Sequence, residues 1–341
     1  MNLEQIEKQK QEIIDRFGPW TAHCIHLANG VYTFDHPEMD ARLRRMVQIC
    51  SDIVQKPLEN IRILDLACLE GHFGIEFALQ GCEVLALEGR ESNLAKARFV
   101  KEVLGLDNLE LACEDVRNLN EAHHGHFDVV LCLGILYHLD TPDVMNFMEK
   151  ISQVCTRAVI IDTHISLCGE QSYTWRETAY WGTYCQEHDI DATPEQKAAS
   201  VWYSLDNSRA FKFTRASLCN LLRHVGFTSV YECLNPYEYA NPRWPLPAED
   251  NRHVIMKDRI TLVAIKGRNA SLLSSPVTET SPEIDRPEKP EYWEDSGMPI
   301  TPQAPVIRPF WSRGLTFMPK PVKRALRKLF GRKVGQSAKR I

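Results

Sequence analysis

The chain has little of what marks membrane-spanning, secreted or metal-clipped proteins. No run of about 18 apolar residues occurs in its 341 positions, which excludes a membrane-spanning helix. The first residues, Met1-Asn2-Leu3-Glu4-Gln5-Ile6-Glu7-Lys8, are charged and helical in pattern and lack the apolar core of a signal peptide. Eleven cysteines are present, an odd number, yet no Cys-x-x-Cys pair offers a structural zinc site. Cys68, Cys82, Cys132 and Cys155 fall inside apolar strand-like runs and read as small buried hydrophobes. A reducing cytoplasm is the expected compartment. No sequence unit repeats. Acidic residues are missing from Ser296 to Ile341, and from Ser271 onward thirteen Lys/Arg face seven Asp/Glu. Residues 1–270 carry the opposite balance, 27 basic against 38 acidic. So acidic a body is a poor partner for a phosphate backbone, and nucleic acid is not an expected partner.

What is present is a regular alternation. Residues 3–17 read as an amphipathic helix ended by Gly18-Pro19, and a second helix spans roughly 38–55, stopping before Pro57. Strand and helix patterns then alternate: strand 61–67, helix 72–80, strand 82–88, helix 91–104, strands 108–113 and 127–133, helix 142–153 and strand 157–162. Strands that are apolar throughout, separated by helices, indicate a mostly parallel sheet covered on both faces. The expected class is α/β, a doubly wound Rossmann-like sheet with N-terminal helices. Residues 166–212 read as irregular and rich in aromatics, among them Trp175, Trp181 and Trp202. A helix at 214–225 and strands near 227–234 and 259–266 would close the sheet with an antiparallel hairpin. Ten of the nineteen prolines lie between Pro276 and Pro321, which reads as a linker before a basic stretch at 319–333. The expected organisation is an N-terminal helical cap over 1–57, a binding domain over 58–268 with 166–212 as a substrate lid, and a Pro-rich linker and basic tail over 269–341.

The decisive segment is Ile63-Leu64-Asp65-Leu66-Ala67-Cys68-Leu69-Glu70-Gly71-His72-Phe73-Gly74. It puts an acid at the end of the first strand, then a tight turn, then a helix opening at Gly71. In an open parallel sheet, ligands sit at the carboxyl ends of the strands near the switch point. Helix-opening amides there can hold a carboxylate, while Asp65 can stabilise an ammonium group or order the turn. The second strand ends at Glu88, 23 residues after Asp65, where a carboxylate can accept both hydroxyls of a ribose. The third leads to Asp115, placed where an adenine amine would donate. The fourth ends Leu131-Cys132-Leu133-Gly134-Ile135-Leu136-Tyr137-His138-Leu139, delivering an aromatic ring and an imidazole to the rim.

In that order, Leu64–Gly71, Glu88, Asp115 and Phe127-Asp128-Val129-Val130 resemble the class I S-adenosylmethionine-dependent methyltransferases. The segment Gly134–Leu139 more narrowly resembles the branch containing the tRNA wobble-uridine carboxymethyltransferase. The resemblance implies S-adenosylmethionine as cofactor, held by Asp65, Ala67, Gly71, Glu88, Asp115, Val116 and Leu133. One departure stands out. The usual Asp-x-Gly-x-Gly-x-Gly turn keeps only its last glycine, and Leu69 puts a side chain where bare backbone normally approaches the cofactor.

Methyl transfer is an in-line displacement at a sulfonium carbon, so the protein mainly aligns a nucleophile and removes its proton. The Asn/Asp-Pro-Pro-Tyr segment used on exocyclic amines is absent after the fourth strand, and that strand ends in Leu133-Gly134 rather than in a metal-binding carboxylate. Metal-independent transfer to oxygen, nitrogen or carbon of a small-molecule acceptor is therefore expected. The alternatives are a tRNA-modifying (carboxy)methyltransferase and a non-catalytic adaptor on the same fold. Base candidates are His138 and His164, since imidazole titrates near neutrality, and Tyr137 is expected to orient the acceptor or pack against the cofactor. His23 and His26 lack a third ligand nearby, and His123-His124-Gly125-His126 reads as a solvated turn; no metal is expected. Lys320, Lys323, Arg324, Arg327, Lys328, Arg332 and Lys333, beside Val322, Ala325, Leu326, Leu329 and Phe330, suit weak contact of the tail with an anionic membrane or protein surface.

Overall fold

In the computed structural model the described residues are 1–34, 41–233 and 258–267. The chain divides into two units, Met1–Glu288 and Lys289–Ile341, and every described residue belongs to the first. The basic tail and the linker expected over 269–341 lie outside the described residues.

Helix α1 (Leu3–Phe17) opens with a capping box, in which Asn2 and Gln5 exchange side-chain-to-backbone hydrogen bonds, and ends at Gly18. A small hairpin of β1 (His26–Ala28) and β2 (Val31–Tyr32) and helix α2 (Ala41–Val54) complete the N-terminal region. Then follow β3 (Arg62–Leu66), α3 (His72–Leu79), β4 (Glu83–Glu88), α4 (Glu91–Leu104), β5 (Leu109–Cys113), α5 (Glu121–His124), β6 (Phe127–Leu133), α6 (Asp143–Val154) and β7 (Cys155–His164). The insertion supplies β8 (Gln171–Trp175), β9 (Thr178–Gln186), α7 (Pro194–Ala199) and β10 (Arg209–Phe213). Helix α8 (Arg215–His224), β11 (Ser229–Cys233) and β12 (Arg259–Ile265) end the described chain.

The main sheet has the order β11-β12-β7-β6-β3-β4-β5. Strands β3 to β7 are parallel, and β12 runs antiparallel between β7 and β11, the closing hairpin expected of 227–266. The chain winds outward through β4 and β5, then returns to β6 on the other side of β3. The switch point thus lies at the carboxyl ends of β3 and β6. Apolar character on both faces of β3 and β6 is matched by burial: Ile63, Leu64, Leu66, Val129, Val130, Leu131 and Cys132 are fully enclosed. Burial of each Leu or Ile contributes about 1.5–3 kcal/mol. Among the described residues no helix is long and apolar enough to cross a membrane, and none of the eleven cysteines is in a disulfide.

The insertion is not irregular. Strands β10, β9 and β8 form an antiparallel sheet in that order, with Tyr173 opposite Tyr180 and Phe211 opposite Tyr184. The β8–β9 turn holds Arg176 at φ +48° and Glu177 at φ +66°. A two-residue hairpin needs two left-handed residues, and here neither is Gly, Asn or Asp, so the usual hairpin signal is missing. Trp175, Tyr180, Phe211 and Phe213 are buried in the core alongside Phe147 of α6 and Leu218 of α8. Trp202 and Tyr203, by contrast, are about half exposed.

Candidate active site

The turn after β3 compensates for its missing glycines. Ala67, Leu69 and Gly71 all adopt left-handed backbone, at φ +52°, +54° and +83°. Gly71 has a second reason to lack a side chain, since a Cβ there would stand 3.0 Å from Cβ of Ala97. The turn is fastened at both ends. Cys68 N donates to Leu87 O at 2.9 Å, Leu69 N to Glu88 Oε2 at 2.9 Å, and Gly74 N to Asp65 Oδ2 at 2.9 Å. Asp65 is 1% exposed, and burial pushes its carboxyl up to about 7, with the charge of Glu88 adding and the Gly74 hydrogen bond opposing.

Glu88 is likewise buried, and burial raises it above the usual carboxylate range, opposed by hydrogen bonds from Arg90 N, Asn93 and Leu69 N. Its Oε1 accepts from Arg90 N at 2.9 Å and Asn93 Nδ2 at 3.2 Å, while Oε2 accepts from Leu69 N. A carboxylate has about four acceptor sites. Among the described residues this leaves room on Oε2 for a further donor such as a ribose hydroxyl. Asp115, two residues beyond β5, caps the short turn Val116–Asn118, its carboxylate gripped by Arg117, Nε at 2.9 Å and Nη2 at 2.5 Å from Oδ2. That grip directs the carboxylate to Arg117, and Arg117 in turn reaches Asp206 at 2.9 Å. Val116 is buried in the short turn after Asp115, and Leu133 is half-buried at the end of β6.

Two further groups meet at this edge of the sheet. Glu70, fully buried, pairs with Lys96 at 3.1 Å and accepts from Thr21 N at 2.7 Å and Ala22 N at 3.2 Å. Lys96 also donates to Pro19 O at 2.7 Å, so the pair straps the 19–22 segment onto the turn. The 200–207 segment of the insertion reaches the opposite side. Arg90 Nη2 donates to the carbonyls of Ser200, Tyr203 and Ser204 at 3.1, 3.0 and 2.8 Å, and the Leu205 side chain rests on the backbone of Gly89.

Tyr137 packs against both histidine candidates, its ring centroid 4.3 Å from that of His138 and 4.8 Å from that of His164. His138 Nδ1 lies 2.8 Å from Glu187 Oε2. His164 Nδ1 lies 2.9 Å from Asp258 Oδ2, and its Nε2 lies 3.3 Å from Arg259 Nη1. A guanidinium can only donate, so the lone pair of His164 Nε2 is already engaged. Burial, then the Arg259 charge, hold His164 below its ordinary value. Tyr137 is raised, mainly by burial. Asp162, which burial alone would raise, is held low by Arg42 and Arg259. Among the described residues, His138 is contacted through Nδ1, whereas both ring nitrogens of His164 are engaged.

Sequence reasoning missed Glu187, Arg90, Arg117, Arg259 and the Glu70–Lys96 pair. The segment Glu88-Gly89-Arg90 alone carried a local signal. The histidine-rich stretch is not a fully solvated turn. His124 closes α5 and is 6% exposed, and Glu114, His123 and His124 bring three potential ligand atoms within 4.8 Å.

The turn left-handed at three positions and the spare acceptor site on Glu88 fit an adenosyl ligand. Residues 63–158 match the family described as "Methyltransferase domain". The chain is 30% identical over 185 residues to the tRNA U34 carboxymethyltransferase of Helicobacter hepaticus, covering 45% of this chain and 58% of that protein. It is 24% identical over 166 residues to the O-antigen chain terminator bifunctional methyltransferase/kinase WbdD of Escherichia coli, covering 44% of this chain and 22% of that one. The chain thus spans less than two thirds of these curated relatives. Among solved structures, the N-terminal domain of EvdMO1 in the presence of SAH and D-fucose is 25% identical with a TM-score of 0.57, covering 78% of this chain and 98% of that domain. Residues 63–158 thus carry a methyltransferase domain, on a fold shared with a solved domain that was crystallised in the presence of SAH.

Proposed function

We propose that this protein transfers a methyl group, without a metal, to an oxygen, nitrogen or carbon of a small-molecule acceptor, with His138 as the base. The observation that carries this reading is the 2.8 Å contact between His138 Nδ1 and Glu187 Oε2 just beyond the carboxyl end of β6. S-adenosylmethionine supplies a methyl group already activated on its sulfonium. Asp65, Ala67, Gly71, Glu88, Val116 and Leu133 would hold it, with Asp115 acting through Arg117. His138 takes the acceptor's proton as the acceptor's lone pair forms the new bond to the methyl carbon and the carbon–sulfur bond breaks. Tyr137, packed against both histidines, orients the acceptor. The 166–212 insertion serves as the lid, since its 200–207 segment touches the backbone around Arg90 and His138. The D-fucose present with the similar solved domain makes polyhydroxylated molecules the first acceptors to screen. The cytoplasm is the proposed compartment, consistent with eleven cysteines that form no disulfide.

The test is a mass-spectrometric screen of metabolites for the gain of one CH2 unit, followed by His138→Gln on the acceptor found. Loss of general-base catalysis costs about 10²-fold or more in kcat; unchanged turnover overturns the assignment. A tRNA acceptor is the second reading, favoured by the Helicobacter hepaticus relative and opposed by the acidic balance of residues 1–270. Retention of tRNA in a mobility-shift assay at physiological salt, followed by its methylation or carboxymethylation, would favour it.

A further inference from the structure

We propose that Glu187 is the positioning residue for His138, fixing the imidazole in the tautomer that carries its proton on Nδ1 and keeps the lone pair on Nε2. This rests on the reading of His138 as the base. Glu187 Oε2 accepts from Ser204 N at 2.7 Å as well as facing His138 Nδ1 at 2.8 Å. A backbone N–H can only donate, and an ionised carboxylate can only accept. His138 Nδ1 is therefore the donor, and Nε2 is left to receive a proton. The other ring nitrogen of a histidine sets which one is basic.

The surroundings hold this pair rigidly. Glu187 follows the last residue of β9, and its own N–H donates to Ser208 O at 2.9 Å, just before β10 begins. The side chains of Glu187 and His138 are 6% and 16% exposed. Asn207 Nδ2 donates to His138 O at 3.1 Å, and Phe211 N donates to Leu139 O at 2.9 Å, so the insertion grips the backbone of the base as well as its ring. The same Ser204 offers its carbonyl to Arg90, whose amide sits on Glu88. One continuous path thus runs from the ribose-side carboxylate through Arg90, Ser204 and Glu187 to His138. The insertion acts as the support of the base in addition to covering the site.

The test uses the full chain with 15N-labelled histidine, in long-range proton–nitrogen correlation spectra recorded above pH 8, with His138→Gln identifying the His138 signals among the twelve histidines. The expected wild-type pattern is a protonated Nδ1 and an unprotonated Nε2. Glu187→Gln offers both a donor and an acceptor, so it should move the pattern toward the other tautomer and lower kcat at least about tenfold. S-adenosylhomocysteine affinity, measured by calorimetry on the same variant, should stay unchanged and reports an intact fold. Glu187→Asp should restore part of the wild-type pattern. A wild-type His138 protonated on Nε2, or a Glu187→Gln spectrum identical to wild type, overturns the proposal. If the tautomer behaves as expected while His138→Gln keeps full turnover, the base assignment fails and the positioning contact stands.

Discussion

The amide of Leu69 donates to Oε2 of Glu88 at 2.9 Å while Leu69 itself stands in left-handed backbone at φ +54°. The hydrogen bond holds a conformation that a leucine avoids by about 1–2 kcal/mol. Leu69→Gly relieves that cost but adds about 0.5–1 kcal/mol of backbone entropy. The expected result is a stability within about 1 kcal/mol of wild type, with S-adenosylhomocysteine binding retained or tightened. Chemical denaturation and calorimetry on one preparation check both. Loss of the fold or the ligand would show that the leucine side chain, half-buried in the structure, is required for packing.

Glu88→Ala is expected to weaken cofactor binding at least tenfold. A charged hydrogen bond is worth about 1.5–3 kcal/mol, and the substitution also orphans the amides of Leu69 and Arg90. Glu88→Gln separates the two effects, because its single oxygen can serve one amide and not both sides of the network. Calorimetric affinities equal to wild type in both variants would sink the ribose assignment.

Asp65 carries a pH signature. Its carboxyl lies at about 7 in the folded protein against 3.8 for the free side chain, so the folded state binds the extra proton. The stabilisation from that proton is full below about pH 4 and is lost as pH rises toward 7. Unfolding free energies measured across this window should therefore decline more steeply in wild type than in Asp65→Asn, which keeps an acceptor for Gly74 N. Parallel slopes would contradict the raised value. Ligand binding at pH 6 offers a second readout. If the ligand ammonium pairs with Asp65, the proton is released and the apparent enthalpy depends on the buffer.

Lys96→Met leaves Glu70 buried without its counter-charge, and breaking such a pair costs about 3–5 kcal/mol. Hydrogen exchange should then accelerate first at Thr21 and Ala22, whose amides Glu70 accepts. A variant as stable as wild type, with unchanged protection at those amides, would mean the pair does not hold the N-terminal segment.

Much of this protein is readable along the chain. The apolar runs of β3, β4, β6 and β7 and the acids that end β3 and β4 announce a parallel sheet with a ligand edge. That reading is local: strand burial shows as unbroken hydrophobicity, and the carboxyl end of a strand is a position in the sequence. The glycine-poor turn misled in the opposite direction, because conformation rather than composition is retained. Ala67 and Leu69 keep the left-handed backbone that glycine would have advertised. The β8–β10 sheet escaped for the same reason, its turn being built from Arg176 and Glu177.

The proposal of His138 over His164 as the base rests on contacts made only in three dimensions. His138 follows β6 and His164 ends β7, and both find a carboxylate, but Glu187 is 49 residues from one and Asp258 is 94 residues from the other. Arg259 closes the second ring nitrogen of His164 through the antiparallel pairing of β12 with β7, which sets Arg259 opposite His164. Hydrogen bonding between distant residues leaves no periodicity behind, because it depends on where strands cross in space. The sheet is thus written in the order of apolar runs, and the proposed base in the partners that folding brings to it.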